Sequence, residues 1–188
     1  MKYPTNYERM AFALGRLSMN AYRGQNIVIA PNVTIGQNVI IKSNAVIGEK
    51  GFGFERDENW TPIRIDHSGG VVIGDHVEIG AATVIAGGTI DPTIIEDHVK
   101  IDDRVFIAHN CRIGEKTLII AGTCIGGSAI IGKCCWLGIN CTIQQKIKIG
   151  NYAFIGSHAN VTKDVPDYAV MVGNPAKILR YQTPDNIL

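Results

Sequence analysis

Ile107-Ala108-His109-Asn110-Cys111-Arg112-Ile113-Gly114-Glu115-Lys116-Thr117-Leu118-Ile119-Ile120-Ala121-Gly122-Thr123-Cys124-Ile125 puts an isoleucine on every sixth residue. The beat holds without a miss through Ile95, Ile101, Ile107, Ile113, Ile119, Ile125, Ile131, Leu137, Ile143, Ile149, Ile155 and Val161. Shorter runs precede it at Ile29, Ile35, Ile41 and Ile47, and at Ile73, Ile79 and Ile85. Four residues after each aliphatic stands a small or β-branched one, as in Val77, Thr83, Val105, Cys111, Thr117, Thr123, Ala129, Cys141 and Ala153. A period of six fits neither a helical face nor a simple alternating strand. It is the period of a chain wound into stacked, flat-sided coils, a parallel β-helix. Each hexad is one short strand and one turn, with an aliphatic pointing inward and a smaller side chain filling the corner. No coil buries its apolar edge alone, so each needs neighbours. Each inward aliphatic contributes roughly 1.5–3 kcal/mol on burial.

The 188 residues suffice for one sizeable domain. A net charge of +1 predicts no strongly basic face and no nucleic-acid partner. No long apolar run follows Met1-Lys2, so neither a signal peptide nor a membrane span is expected, and a cytoplasmic location follows. The five cysteines (Cys111, Cys124, Cys134, Cys135, Cys141) are odd in number and lie within the repeats. Cys111, Cys135 and Cys141 hold the small inward position, which predicts reduced core thiols rather than disulfides or metal ligands.

Three segments interrupt the beat and divide the chain. Residues 1–25 carry no hexads; Thr5 and Glu8 suit a capping box and Met10, Leu14 and Leu17 share a helical face, predicting a short N-terminal helical segment. Residues 26–165 form the β-helix, from which a loop leaves between Gly48 and Gly70, carrying Phe52, Phe54 and Trp60. A smaller bulge makes the step from Ile85 to Ile95 ten residues instead of six. Residues 166–188 are a proline-containing tail, with a brief helix expected around Pro175–Tyr181. The fold class is therefore all-β, a single β-helix with short helical segments at both ends.

Three hexads complete one coil, so residues 18 apart stack on one edge. The hexads of Ile47, Ile85, Ile107, Ile125, Ile143 and Val161 share a face, and the turns after them carry the 48–70 loop, the 86–93 bulge, His109, Gly127, Gln145 and Lys163. Insertions, a histidine and a glycine converging on a rigid edge is how a site is built on a solenoid. His109, two residues past an inward aliphatic, is expected in a solvent-reachable turn. Asp91, or Asp102 and Asp103, are candidates to hold one ring nitrogen and leave the other as base. Gly127, 18 residues on, offers a backbone N–H to the same space. A base beside a backbone donor suits acyl transfer, one removing a proton and the other holding the oxyanion. His67, His76, His98 and His158 are weaker candidates, and no histidine pair has the spacing of a zinc site, so no metal is expected.

Gly51-Phe52-Gly53-Phe54 with Trp60, Val71-Val72-Ile73-Gly74-Asp75-His76-Val77-Glu78-Ile79-Gly80-Ala81, Gly88-Thr89-Ile90-Asp91-Pro92-Thr93, and Lys100-Ile101-Asp102-Asp103 leading to Ile107-Ala108-His109-Asn110 together resemble the repeat domain of the UDP-3-O-acylglucosamine N-acyltransferases of lipid A synthesis. The resemblance implies a left-handed β-helix, a homotrimer with sites between subunits, His109 as general base and Gly127 N–H as oxyanion donor. Phe52, Phe54, Trp60, Asp91 and Asn110 are then expected on the acceptor, a nucleotide-activated amino sugar.

The chain departs from that family in three places. Its first 25 residues are too few for the family's uridine-binding domain, and Gln144-Gln145-Lys146 stands where the family has a further histidine. Its ending, Val172-Gly173-Asn174-Pro175-Ala176-Lys177-Ile178-Leu179-Arg180, resembles the small sugar acetyltransferases that use acetyl-coenzyme A. That likeness implies that the segment closes the last coil near the coenzyme, with Gln145, Lys163, Gly173, Asn174, Lys177 and Arg180 on the acyl donor. The expected activity is transfer of an acyl group, acetyl in the first instance, from a coenzyme A thioester to a sugar amine for cell-surface polysaccharide or lipopolysaccharide synthesis. No permanently bound cofactor is expected. Two alternatives stand beside it: a hydroxyacyl N-acyltransferase of the lipid A type served by acyl carrier protein, and a non-catalytic β-helix scaffold.

Overall fold

The computed structural model describes residues 23–183, and the expected N-terminal helical segment lies almost wholly outside them. Strands of two to five residues follow one another along three parallel sheets. One face runs through Val28–Ile29, Val46–Lys50, Val84–Gly87, Phe106–Ile107, Cys124–Ile125, Thr142–Ile143 and Asn160–Val161. The second runs from Val33–Ile35 through Val71–Ile73, Thr93–Ile95, Arg112–Ile113 and Ile130–Ile131 to Lys148–Ile149. The third begins at Ile40–Ile41 and ends with Ala169–Val172 and Lys177–Tyr181. This is the left-handed parallel β-helix that the six-residue beat and the family likeness together imply.

The inward column is closed to solvent. Ile41, Ile47, Ile79, Ile85, Ile107, Ile119 and Ile125 are all fully buried, and Ala45, Val77, Thr83, Cys111, Thr123 and Ala129 fill the corners between them. Each strand pairs with its predecessor one coil away in strict register, Ile85 with Ile107, Ile107 with Ile125, Ile125 with Ile143. Both insertions leave the pairing of the inward aliphatics intact, Ile47 with Ile85 across the long loop and Ile73 with Ile95 across the bulge, although the register shifts by one between Ile47 and Lys50 as the loop departs.

The turns have a feature that the aliphatic beat does not announce. Three residues after most inward aliphatics the backbone takes a positive φ, as at Asn110 (57°), Lys116 (58°), Ser128 (61°), Asn140 (54°) and His158 (58°). Asparagine tolerates this conformation at little cost. Many of the glycines serve close approach instead. A Cβ on Gly114 would come within 2.6 Å of the Gly132 carbonyl carbon in the next coil.

The C-terminal expectation is corrected. Pro175–Tyr181 is not a helix: Lys177–Tyr181 is a strand that turns back antiparallel on Ala169–Val172, pairing Val172 with Lys177 and Ala169 with Tyr181. The open edge of the last coil offered unpaired backbone groups, and pairing with them prevailed over the helix-start signal of proline. The 48–70 segment also has structure of its own, an antiparallel hairpin of Phe54–Arg56 with Pro62–Arg64.

Candidate active site

His109 sits in the turn between the first and second faces, half-buried. Its Nδ1 lies 3.0 Å from Asn110 Oδ1. That oxygen also meets Thr89 N at 3.2 Å and Thr89 Oγ1 at 3.1 Å, while Asn110 Nδ2 donates to the Asp91 carbonyl at 2.9 Å. A backbone N–H only donates and a carbonyl only accepts, so the amide orientation of Asn110 is fixed from both ends. Nδ1 therefore carries a proton, and in the neutral ring Nε2 is the lone-pair acceptor. Nε2 faces Gly127: a Cβ there would lie 2.7 Å from it. The Gly127 N–H has no hydrogen-bond partner among the described residues, whereas its carbonyl accepts from Lys146 N at 2.9 Å.

The expected carboxylate on the ring is replaced by this amide. Asp91 contributes its carbonyl, through Asn110, not its side chain. Asp102 and Asp103 lie on another edge, between the third and first faces, where they accept from Ala121 N and Ala81 N. A polar side chain directly after the histidine, in a turn that demands positive φ, was the nearer orienting group.

The two insertions are knitted together above His109. Ser68 N donates to Thr89 O at 2.8 Å, Gly69 N to Gly88 O at 2.9 Å, and Gly88 N to Gly70 O at 2.9 Å. Phe52 and Phe54 meet edge to face at 4.9 Å, and the Arg64 guanidinium lies 4.7 Å over the Phe54 ring. Phe52 is 84% exposed, an aromatic face left open at the root of the hairpin. Trp60 does not join them: it sits in the hairpin turn with φ of 63°, roughly 10 Å of strand beyond Phe54, beneath Arg56.

Of the residues expected at the acyl donor, Gln145 and Lys163 occupy the same edge one and two coils past Gly127, both exposed. Gly173 and Asn174 close on the last coil, Gly173 O accepting from Asn160 N at 3.0 Å and Asn174 Oδ1 from Asn160 Nδ2 at 3.0 Å. Lys177 and Arg180 stand apart, on the strand that extends the third face, across the prism from the His109 edge.

His67, one of the weaker candidates by sequence, is the one that the structure brings to His109. Its ring packs edge to face on His109 with centroids 5.2 Å apart and is only 3% exposed. The usable signal was the Gly51-Phe52-Gly53 spacing, since a Cβ on either glycine would stand about 3 Å from the His67 ring. The three inward cysteines are free thiols, with burial pushing Cys111, Cys135 and Cys141 up to about 11.

Comparison with known proteins agrees with this architecture. The bacterial transferase hexapeptide model (six repeats) matches residues 128–163. The UDP-3-O-acylglucosamine N-acyltransferase of Campylobacter lari is 38% identical over 128 residues, 68% of this chain and 40% of that protein. That of a Janthinobacterium species is 42% identical over 118 residues, 63% of this chain and 33% of that protein. The chain thus spans about two fifths or less of these relatives' length. The crystal structure of a UDP-N-acetylglucosamine acyltransferase superposes with a TM-score of 0.72 at 26% identity, covering 81% of this chain and 57% of that one. The chain thus has the hexapeptide-repeat β-helix fold that these acyltransferases share. Within that class its central region resembles the UDP-3-O-acylglucosamine N-acyltransferases.

Proposed function

We propose that the protein transfers an acyl group from a thioester to the amine of a nucleotide-linked sugar, an N-acylation of the lipid A type. One observation carries this reading: the Asn110 network selects the neutral tautomer with the lone pair on His109 Nε2, facing the turn where the Gly127 N–H has no partner among the described residues. The sugar nitrogen attacks the thioester carbonyl carbon while Nε2 takes its proton. The Gly127 N–H receives the developing oxyanion. Collapse breaks the carbon–sulfur bond, and the thiolate leaves with the proton held by the imidazolium. A base of this kind contributes roughly 10²–10⁴-fold and an oxyanion donor roughly 10²–10³-fold.

The names of the sequence relatives support an amine as nucleophile and a UDP-linked 3-O-acylglucosamine as the acceptor class. They favour the lipid A type of reaction over simple acetyl transfer. Phe52 and Phe54 are the acceptor-facing aromatics in this reading. Acetyl transfer from coenzyme A is the second reading, and the closure of Gly173 and Asn174 on Asn160 favours it, as in the small acetyltransferases. Gln145 and Lys163 line the donor groove in either case. Lys177 and Arg180 reach that groove only from a neighbouring protomer of a homotrimer.

The test is a mass-spectrometric assay of UDP-glucosamine and UDP-3-O-acylglucosamine against acetyl-coenzyme A and acyl carrier protein thioesters. N-acylated UDP-3-O-acylglucosamine is the expected product. Acetylation by coenzyme A alone selects the second reading. Near-normal turnover in His109→Ala, with unchanged sedimentation, overturns the assignment of the base.

A further inference from the structure

We propose that His67 is a sugar-binding residue, its Nε2 accepting a hydrogen bond from a hydroxyl of the acceptor; this rests on the acceptor being a nucleotide-linked sugar. His67 Nδ1 lies 2.9 Å from the Ile65 carbonyl. A carbonyl can only accept, so Nδ1 holds the proton and the neutral ring presents a lone pair at Nε2. That atom is buried and has no hydrogen-bond partner among the described residues. Buried polar atoms in native proteins are nearly always paired, and the exceptions call for an explanation. Asp66 beside it is already engaged with Lys50, so the orphan is not a member of that pair.

The position of the ring supplies the explanation. Its edge-to-face contact with His109 sets it one ring away from the proposed base, where the sugar has to lie if its amine is to reach His109. On its other flank His67 lines a cleft of about 400 Å³ with Asn32, Lys50 and Ser68. What covers Nε2 is a thin arm, Gly51-Phe52-Gly53. Cβ atoms on the two glycines would stand 3.0 Å from Nε2 and 2.9 Å from Cε1. Phe52 between them is 84% exposed and has little hold on the rod. The arm is tied to the hairpin by Ile65 N donating to Gly53 O at 3.0 Å and by Arg64 Nη1 at 3.3 Å from Gly51 O, so binding the sugar has to move Phe52 and the glycines aside for a hydroxyl to reach Nε2.

The experiment compares binding of UDP-glucosamine and of UDP alone by calorimetry, in wild type, His67→Phe and His67→Gln. Phenylalanine keeps the ring and removes the acceptor. Glutamine keeps a donor for Ile65 and an acceptor beyond it. The expected result is roughly 10–100-fold weaker binding of UDP-glucosamine by the Phe variant, unchanged binding of UDP, and recovery of most of the loss by Gln. Equal weakening for both ligands, or for neither, overturns the proposal. A histidine with a purely structural role would instead lower the thermal midpoint of the Phe variant and leave binding per folded molecule unchanged. Wild type that binds neither ligand refutes the nucleotide-sugar reading itself, a result distinct from a variant that behaves like wild type.

Discussion

His109 Nε2 and Gly127 are in such close contact that no other residue type fits at 127 with the ring in place: a Cβ there would stand 2.7 Å from the nitrogen. Position 127 is not among the backbone sites with positive φ, so alanine is allowed by the main chain and refused only by the imidazole. Gly127→Ala is expected to lower kcat about 100-fold, by displacing the base and crowding the oxyanion position, with a stability change under about 1 kcal/mol. Steady-state kinetics alongside thermal unfolding checks both halves; an active variant with a displaced ring would show that Nε2 does not work from this place.

Asn110 holds His109, Thr89 and Asp91 at once. Asn110→Ala is expected to cost roughly 10–100-fold in kcat/KM, because the ring loses its fixed tautomer and the bulge its tie to the turn. Asn110→Asp keeps an acceptor for Nδ1 and tolerates the positive φ. It also places a negative charge beside the ring, which favours the imidazolium. The acid limb of its pH–rate profile should therefore move to higher pH than in wild type.

Stability resides in the inward column. Ile119→Ala is expected to destabilise by about 2–5 kcal/mol in urea unfolding, since the fully buried side chain has neighbours in the coils above and below. Thr142→Glu, outward and exposed on the first face, should shift the midpoint by under about 0.5 kcal/mol.

Three inward thiols titrate late. The folded state holds Cys111, Cys135 and Cys141 at about 11 against an ordinary 9.0, so between those values the unfolded chain has lost protons that the native one retains. Stability is full below about pH 9 and falls as pH rises towards 11. A unfolding series across that range checks the sign; replacing all three residues with alanine should flatten it. At pH 8, alkylation of the native protein is expected first at the exposed Cys124.

The six-residue beat was enough to place Ile107 over Ile125 and so to bring His109 and Gly127 onto one edge, because a solenoid repeats a single local rule. The same rule located the loop and the bulge as interruptions. It says nothing inside an interruption. His67, Thr89 and the hairpin around Trp60 lie where there is no period to read, and their contacts depend on two insertions meeting in space. The orienting group of His109 was sought among carboxylates, whereas an amide next in sequence does the work; the turn geometry that aims Asn110 leaves no mark on the aliphatic pattern. In the tail Pro175 signals a helix start locally, while the partner strand Ala169–Val172 that decides the outcome is a tertiary fact.

A rod of stacked coils has one recurrent hazard: its final rung is a ready template for the first rung of another molecule. Here the chain doubles back, and Lys177–Tyr181 occupies that rung in the opposite direction on one of the three faces. It carries Lys177 and Arg180 on the outermost rim, and charged side chains on a sheet edge discourage further additions. The reversal thus leaves that face presenting a strand of opposite direction and charged rim, a poor match for the parallel rung of another copy.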